Sequence, residues 1–188
     1  MGKIIPKIQP ICASFGAQVY DVRLASISDE LFKEIYEAWL EYGLLIFEGQ
    51  YLTRSEQITF AKRFGPLEFE LAALSNVLKD GTLRPDDGSD DVIKILRGNM
   101  GWHHDSTYMS VQAKGAVFTA ETVPNSGGAT GFADMRAAYD ALGVEVQCRL
   151  EGLKAHHSLH HSQSKLGYSS QTLDGGGIDK NNDLDGYG

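Results

Sequence analysis

The densest chemistry in the 188-residue chain is the run Gly101-Trp102-His103-His104-Asp105-Ser106-Thr107. In extended chain the side chains alternate faces, so His103 and Asp105 point one way and His104 the other. An imidazole and a carboxylate two apart on a strand end can bind one metal ion together. With a second His from elsewhere they make the 2-His-1-carboxylate facial triad, which holds non-haem Fe(II) on one face and leaves the other positions open. A His-x-Asp also occurs by chance on surfaces and at caps, so the spacing by itself leaves both readings standing.

Other groups carry less. His156, His157, His160 and His161 form a second cluster with no cysteine near it, which weakens a structural zinc reading. Asn181-Asn182-Asp183-Leu184-Asp185-Gly186 has the acidic alternation and glycine of an EF-hand loop. It lacks the closing Glu and both flanking helices, so it reads as acidic tail. Cys12 and Cys148 lie far apart with no CxxC spacing, which predicts a reducing, cytoplasmic setting and no disulfide framework.

Several elements must position these groups. Leu31, Phe32, Ile35, Tyr36, Trp39, Leu40 and Tyr42 recur at three- and four-residue intervals, which predicts a helix over 28–43 ended by Gly43. Leu44–Phe47 reads as a buried strand entered from that helix. Thr53-Arg54-Ser55-Glu56 is a capping box that opens a second helix, stopped at Gly65-Pro66. This predicts a core holding Leu31, Ile35, Trp39, Leu45, Phe47 and Phe64. From Ser75 to Asp91 the chain is rich in Gly, Asp and Pro, a lid-sized loop, followed by an expected strand at Val92–Leu96. Val111–Thr122 and Gly152–Leu159 are further strand candidates, and Asp134–Leu142 a helix with Asp134 as N-cap. Helices first and short strands after give an α+β or mostly β class.

Composition narrows the partners. At 42% hydrophobic and 22% charged the chain can build one globular core, and its length suits a single domain or the larger part of one. No apolar run approaches a bilayer span, and the N-terminus has no h-region, so neither a membrane anchor nor secretion is expected. Seventeen basic against twenty-five acidic residues give a net charge of −8, with much of the acidic excess in 86–91 and the last fifteen residues. That balance disfavours nucleic acid and anionic membranes, which need a basic footprint.

The stretch Asn99-Met100-Gly101-Trp102-His103-His104-Asp105-Ser106-Thr107-Tyr108, followed by Gly127-Gly128-Ala129-Thr130-Gly131-Phe132-Ala133-Asp134-Met135-Arg136-Ala137-Ala138-Tyr139, resembles the taurine and 2,4-dichlorophenoxyacetate dioxygenase family. Phe15–Val19, Asp21–Leu24, Leu45–Phe47 and Gln57–Gly65 look like that family's opening strand, helix and helix. Phe132–Tyr139 and Ser162-Gln163-Ser164-Lys165-Leu166-Gly167-Tyr168 resemble the phenoxyacetate branch more than the taurine branch. The likeness covers residues 8–170 and leaves 173–188 as a disordered acidic, Gly-rich tail.

The resemblance implies a double-stranded β-helix, or jelly roll, with flanking helices. It implies an Fe(II)- and 2-oxoglutarate-dependent dioxygenase that hydroxylates a small organic acid with O2, releasing succinate and CO2. Residue by residue it assigns His103 and Asp105 as iron ligands. Thr130, which follows Asp105 by twenty-five residues, matches the threonine that hydrogen-bonds a 2-oxoglutarate carboxylate. Asn99 falls where taurine-type members place a substrate-contacting amide, and Trp102 is expected to pack behind the ligands. The family has a His at the position of His157 that is not a ligand. Its second iron-binding His and the Arg that pairs with 2-oxoglutarate come from strands beyond Gly188, so the expectation is an N-terminal part with C-terminal strands missing. Assembly into a homo-oligomer stays open. The rivals are a non-catalytic jelly-roll module that binds a ligand or partner through unpaired strand edges, and a metal-binding protein without redox chemistry.

Overall fold

A computed structural model describes residues 6–12, 14–158 and 161. Among them the chain order is β1 (Lys7–Pro10), β2 (Ala17–Tyr20), a 3-10 turn at Leu24–Ser26, α1 (Asp29–Tyr42), β3 (Leu45–Ile46), α2 (Arg54–Lys62), α3 (Asp91–Gly98), α4 (Met135–Asp140) and α5 (Val144–Leu150). The described residues are α+β, with one three-stranded sheet in the order β1-β2-β3. They fall into two compact units, the described residues up to Leu67 with Val117–Leu153, and Glu68–Ala116 with the described residues from Lys154 on. No helix among the described residues is long and apolar enough to cross a membrane.

In the first unit, β1 pairs antiparallel with β2 in the register Ile8↔Val19, and β2 pairs parallel with β3 through Ala17↔Leu45. A parallel pair needs a crossover, and α1 supplies it. Ser28 caps α1 by accepting from the Leu31 amide, and Asp29 and Glu30 put negative charge at the positive end of the helix dipole. Gly43 ends it in the left-handed region at φ 71°, its N–H on the Trp39 carbonyl at 2.8 Å. A side chain there is blocked twice, by φ and by the Phe15 ring, which a Cβ would approach to 2.9 Å.

The core cluster is Val19, Val22, Leu24, Ile35 and Phe60, with Leu31, Leu45, Phe47, Phe64 and Val117 packed partly buried against it. Phe32, Tyr36, Trp39, Phe60 and Phe64 form an edge-to-face network, with Trp39 and Phe64 centroids 5.4 Å apart. Of the six core residues expected from the stripe, Ile35 is fully buried, while Trp39 and the other four are half-buried. Leu40 is 56% exposed despite its place in the apolar pattern. The capping box forms as expected: the Thr53 amide donates to Glu56 Oε2 at 2.8 Å, and the Glu56 amide donates to Thr53 Oγ1 at 3.3 Å. Asp134 caps α4 by accepting from the Arg136 and Ala137 amides.

Three expected strands are corrected. Val92–Leu96 lies inside α3, because Asp90 accepts from the Ile93 amide at 3.0 Å and Lys94 pairs with Asp91 at 2.7 Å, so end chemistry decides a run that periodicity alone cannot. Val92, Ile93 and Leu96 then share the covered face and Ile95 is exposed. Val111–Thr122 and 152–158 hold no strand, since no neighbouring strand among the described residues offers them a ladder. Val117 is held instead by a side chain, its carbonyl accepting from Gln57 Nε2 at 3.1 Å. The helix α5 went unread in the sequence. Residue 159, His160 and the tail 173–188 lie outside the described residues.

Candidate functional site

The helix α3 leads into the site. Asp90 anchors its start, accepting from the Ile93 amide and from Arg84 Nη1 at 3.1 Å, and the amide bond holds its carboxyl below the ordinary Asp range, with Arg84 adding to the effect. Asn99 ends it, its amide on the Ile95 carbonyl at 3.0 Å and its side chain exposed. From there the chain passes through bends and turns rather than a strand, which corrects the expected ligand strand.

The tight path nonetheless brings His103 and Asp105 together, with Nε2 of His103 3.1 Å from Oδ1 of Asp105. Nδ1 of His103 stands 2.7 Å from the Gly101 carbonyl oxygen. That oxygen can only accept, so Nδ1 carries the proton and donates. In the neutral ring Nε2 is then an acceptor facing a second acceptor. Either a proton on Nε2 or a cation shared with the carboxylate makes this arrangement favourable. Two metal bonds of about 2.1 Å at right angles end on atoms about 3.0 Å apart, so the observed separation is compatible with two ligands of one ion as well as with a direct hydrogen bond. The Gly101 carbonyl is the kind of outer partner that fixes a ligand imidazole. Both side chains are open to solvent, His103 at 48% and Asp105 at 71% exposure.

His104 turns elsewhere. Its Nδ1 lies 2.8 Å from the Asp105 carbonyl oxygen and 3.1 Å from Gln112 Nε2. Ser106 follows in the left-handed region at φ 58°, its hydroxyl donating to Glu68 Oε2 at 2.8 Å and its carbonyl accepting from the Met109 amide at 3.0 Å. Trp102, expected to pack behind the ligands, is 78% exposed.

Thr130 belongs to the first unit, exposed in irregular chain between the Gly127-Gly128 turn and α4. The structure thus brings His103 and Asp105 together, sets Asn99 at the helix end before them, and holds Thr130 in the other unit. Among the described residues no group of three or more His, Cys, Asp and Glu is arranged to hold a metal ion. His156, His157 and His161 are exposed, the amide of His161 donating to Ser158 Oγ at 3.2 Å. Sequence reasoning missed Ser106, Glu68 and Gln112, which carry no spacing signal.

The family described as taurine catabolism dioxygenase TauD, TfdA matches residues 7–184. The (S)-phenoxypropionate/alpha-ketoglutarate-dioxygenase of Sphingobium herbicidovorans is 61% identical over 168 residues, covering 89% of this chain and 58% of the relative. The alpha-ketoglutarate-dependent 2,4-dichlorophenoxyacetate dioxygenase of Cupriavidus pinatubonensis is 38% identical over 182 residues, covering 89% and 62%. The crystal structure of AAD-2 in complex with Mn(II) and N-oxalylglycine superposes with a TM-score of 0.83 at 34% identity, covering 91% of this chain and 63% of that one. The chain spans about three fifths of the length of the relatives it matches.

Proposed function

Because the chain belongs to the TauD, TfdA dioxygenase family, we propose that it forms part of an Fe(II)- and 2-oxoglutarate-dependent dioxygenase of the jelly-roll type that hydroxylates a phenoxyalkanoic acid. His103 Nε2 and Asp105 Oδ1 are two of the metal ligands. The observation that carries this is their 3.1 Å separation with Nδ1 committed to the Gly101 carbonyl, which leaves two donor atoms close enough to share one ion. The names of the relatives, which act on phenoxypropionate and 2,4-dichlorophenoxyacetate, support the substrate class. N-oxalylglycine, held with Mn(II) by the AAD-2 neighbour, is 2-oxoglutarate with an NH in place of a CH2, which supports the co-substrate.

When bound, the iron supplies activation of O2, coupling loss of CO2 from 2-oxoglutarate to insertion of one oxygen atom into a C–H bond of the acid. This chain's residues bind and orient. The Gly101 carbonyl keeps the Nε2 lone pair of His103 available, Thr130 donates its hydroxyl to a 2-oxoglutarate carboxylate, and Asn99 offers its amide to the substrate.

The test starts with Mn(II) titration of the chain by electron paramagnetic resonance. Saturable binding is expected, lost in His103→Ala and in Asp105→Ala. Equal binding by parent and both variants overturns the assignment. For a protein carrying this chain, succinate formation from 2-oxoglutarate is expected to depend on an added phenoxyalkanoic acid and to vanish with His103→Ala.

A further inference from the structure

We propose that the hydrogen bond between Ser106 and Glu68 is a latch that positions the His103–Asp105 donor pair; the inference rests on the metal reading of that pair. Ser106 is the residue directly after Asp105, and it occupies the left-handed region at φ 58°, a conformation that costs a non-glycine residue energy unless its surroundings hold it. Its hydroxyl donates to Glu68 Oε2 at 2.8 Å, a charge-assisted bond that reaches 38 residues back along the chain. Among the described residues the other polar ties of this segment are local: His103 to Gly101, His104 through Nδ1 to either Asp105 or Gln112, and the Met109 amide to Ser106. Glu68 therefore connects a self-contained turn to a distant stretch of the same unit. It does so at the residue whose backbone fixes how the chain leaves Asp105. Releasing it frees Ser106 to relax toward negative φ, and the turn that converges the two donor atoms loses its exit geometry.

Glu68 and Ser106 donate nothing to the metal in this account; they act through Asp105. Outer partners of metal ligands typically change affinity by 10–100-fold, and a solvent-facing bond belongs at the low end, about tenfold.

The experiment measures Mn(II) affinity and the thermal melt of the metal-free chain for Ser106→Ala, Glu68→Ala, Glu68→Gln and the Ser106→Ala/Glu68→Ala pair, with His103→Ala alongside. Ser106→Ala and Glu68→Ala are each expected to bind about tenfold more weakly, whereas His103→Ala abolishes binding. The double variant should bind no more weakly than either single one, because one bond cannot be lost twice. Glu68→Gln, which keeps an acceptor oxygen, should stay close to the parent. Affinity unchanged in Ser106→Ala while His103→Ala abolishes binding overturns the latch and leaves the metal reading intact. Additive losses in the double variant overturn it as well, as does a fall in affinity that only follows a fall in melting temperature across all variants. Binding unchanged in His103→Ala overturns the metal reading and the latch with it.

Discussion

Nη2 of Arg136 donates to the carbonyl oxygen of Glu41 at 2.9 Å, and its Nη1 to that of Leu40 at 3.3 Å. The guanidinium thus sits on the last carbonyls of α1, where a helix leaves acceptors unsatisfied and its dipole is negative. A residue in the Phe132–Tyr139 run thereby fastens the chain after Thr130 to a helix ninety-five residues earlier. Arg136→Met, which keeps the apolar stem and removes the donors, is expected to lower stability by about 0.5–1.5 kcal/mol in urea unfolding. An unchanged midpoint would show that water replaces the guanidinium at no cost.

The same helix end supplies a second prediction. Gly43 has φ 71° and a Cβ there would come within 2.9 Å of the Phe15 ring. Gly43→Ala combines an unfavourable left-handed backbone with a contact that Phe15 must yield to, and about 1–2 kcal/mol of stability is expected to be lost. Gly81→Ala is the control, since its φ of 85° carries the backbone cost with nothing within 4 Å of the added carbon. A larger loss at Gly81 would mean the Phe15 contact is irrelevant.

What the sequence disclosed follows from how local each signal is. The helix α1, the Thr53–Glu56 box and the Asp134 cap all rest on residues within a few positions of one another, and each formed where its pattern lay. Val92–Leu96 misled because five apolar-rich residues suit strand and helix alike, and the deciding contact is the Asp90 cap. The helix α5 begins at Gly143 without a side-chain cap bond and carries Val144 and Val146, so its start was hidden. For the site, alternation placed His103 and Asp105 on one side, and the structure reaches that convergence through a turn instead. The Glu68–Ser106 bond was beyond sequence reading, since nothing periodic links residues so far apart.

Acid should weaken α2 in a defined direction. The Thr53 hydroxyl and amide both donate to Glu56, which lowers its folded pKa below the ordinary value of 4.5. A depressed folded pKa means the stabilisation is fully present above the unfolded value and is lost as pH falls through the folded one. Glu56→Gln is expected to be less stable than the parent at neutral pH, with the gap closing as pH falls from the ordinary Glu value through the lowered folded one. A gap that stays constant down to pH 2 would remove Glu56 from the acid response.

The two adjacent histidines allow the sharpest separation of roles. Nε2 of His103 faces Oδ1 of Asp105 at 3.1 Å, while His104 presents Nδ1 to the Asp105 carbonyl oxygen at 2.8 Å with Gln112 beside it. One imidazole offers a lone pair where the carboxylate already points; the other braces the backbone that carries the carboxylate. Removing a metal ligand takes away a bond to the ion, whereas removing a brace costs a hydrogen bond's net worth, about 0.5–1.5 kcal/mol, or roughly three- to tenfold in affinity. His103→Ala is therefore expected to abolish saturable Mn(II) binding, His104→Ala to weaken it by about three- to tenfold, and His104→Asn, which can still donate to the Asp105 carbonyl, to recover part of that loss. The reverse order, with binding lost in His104→Ala and kept in His103→Ala, would move the metal to the other face of the turn and take the Gly101 tautomer argument down with it.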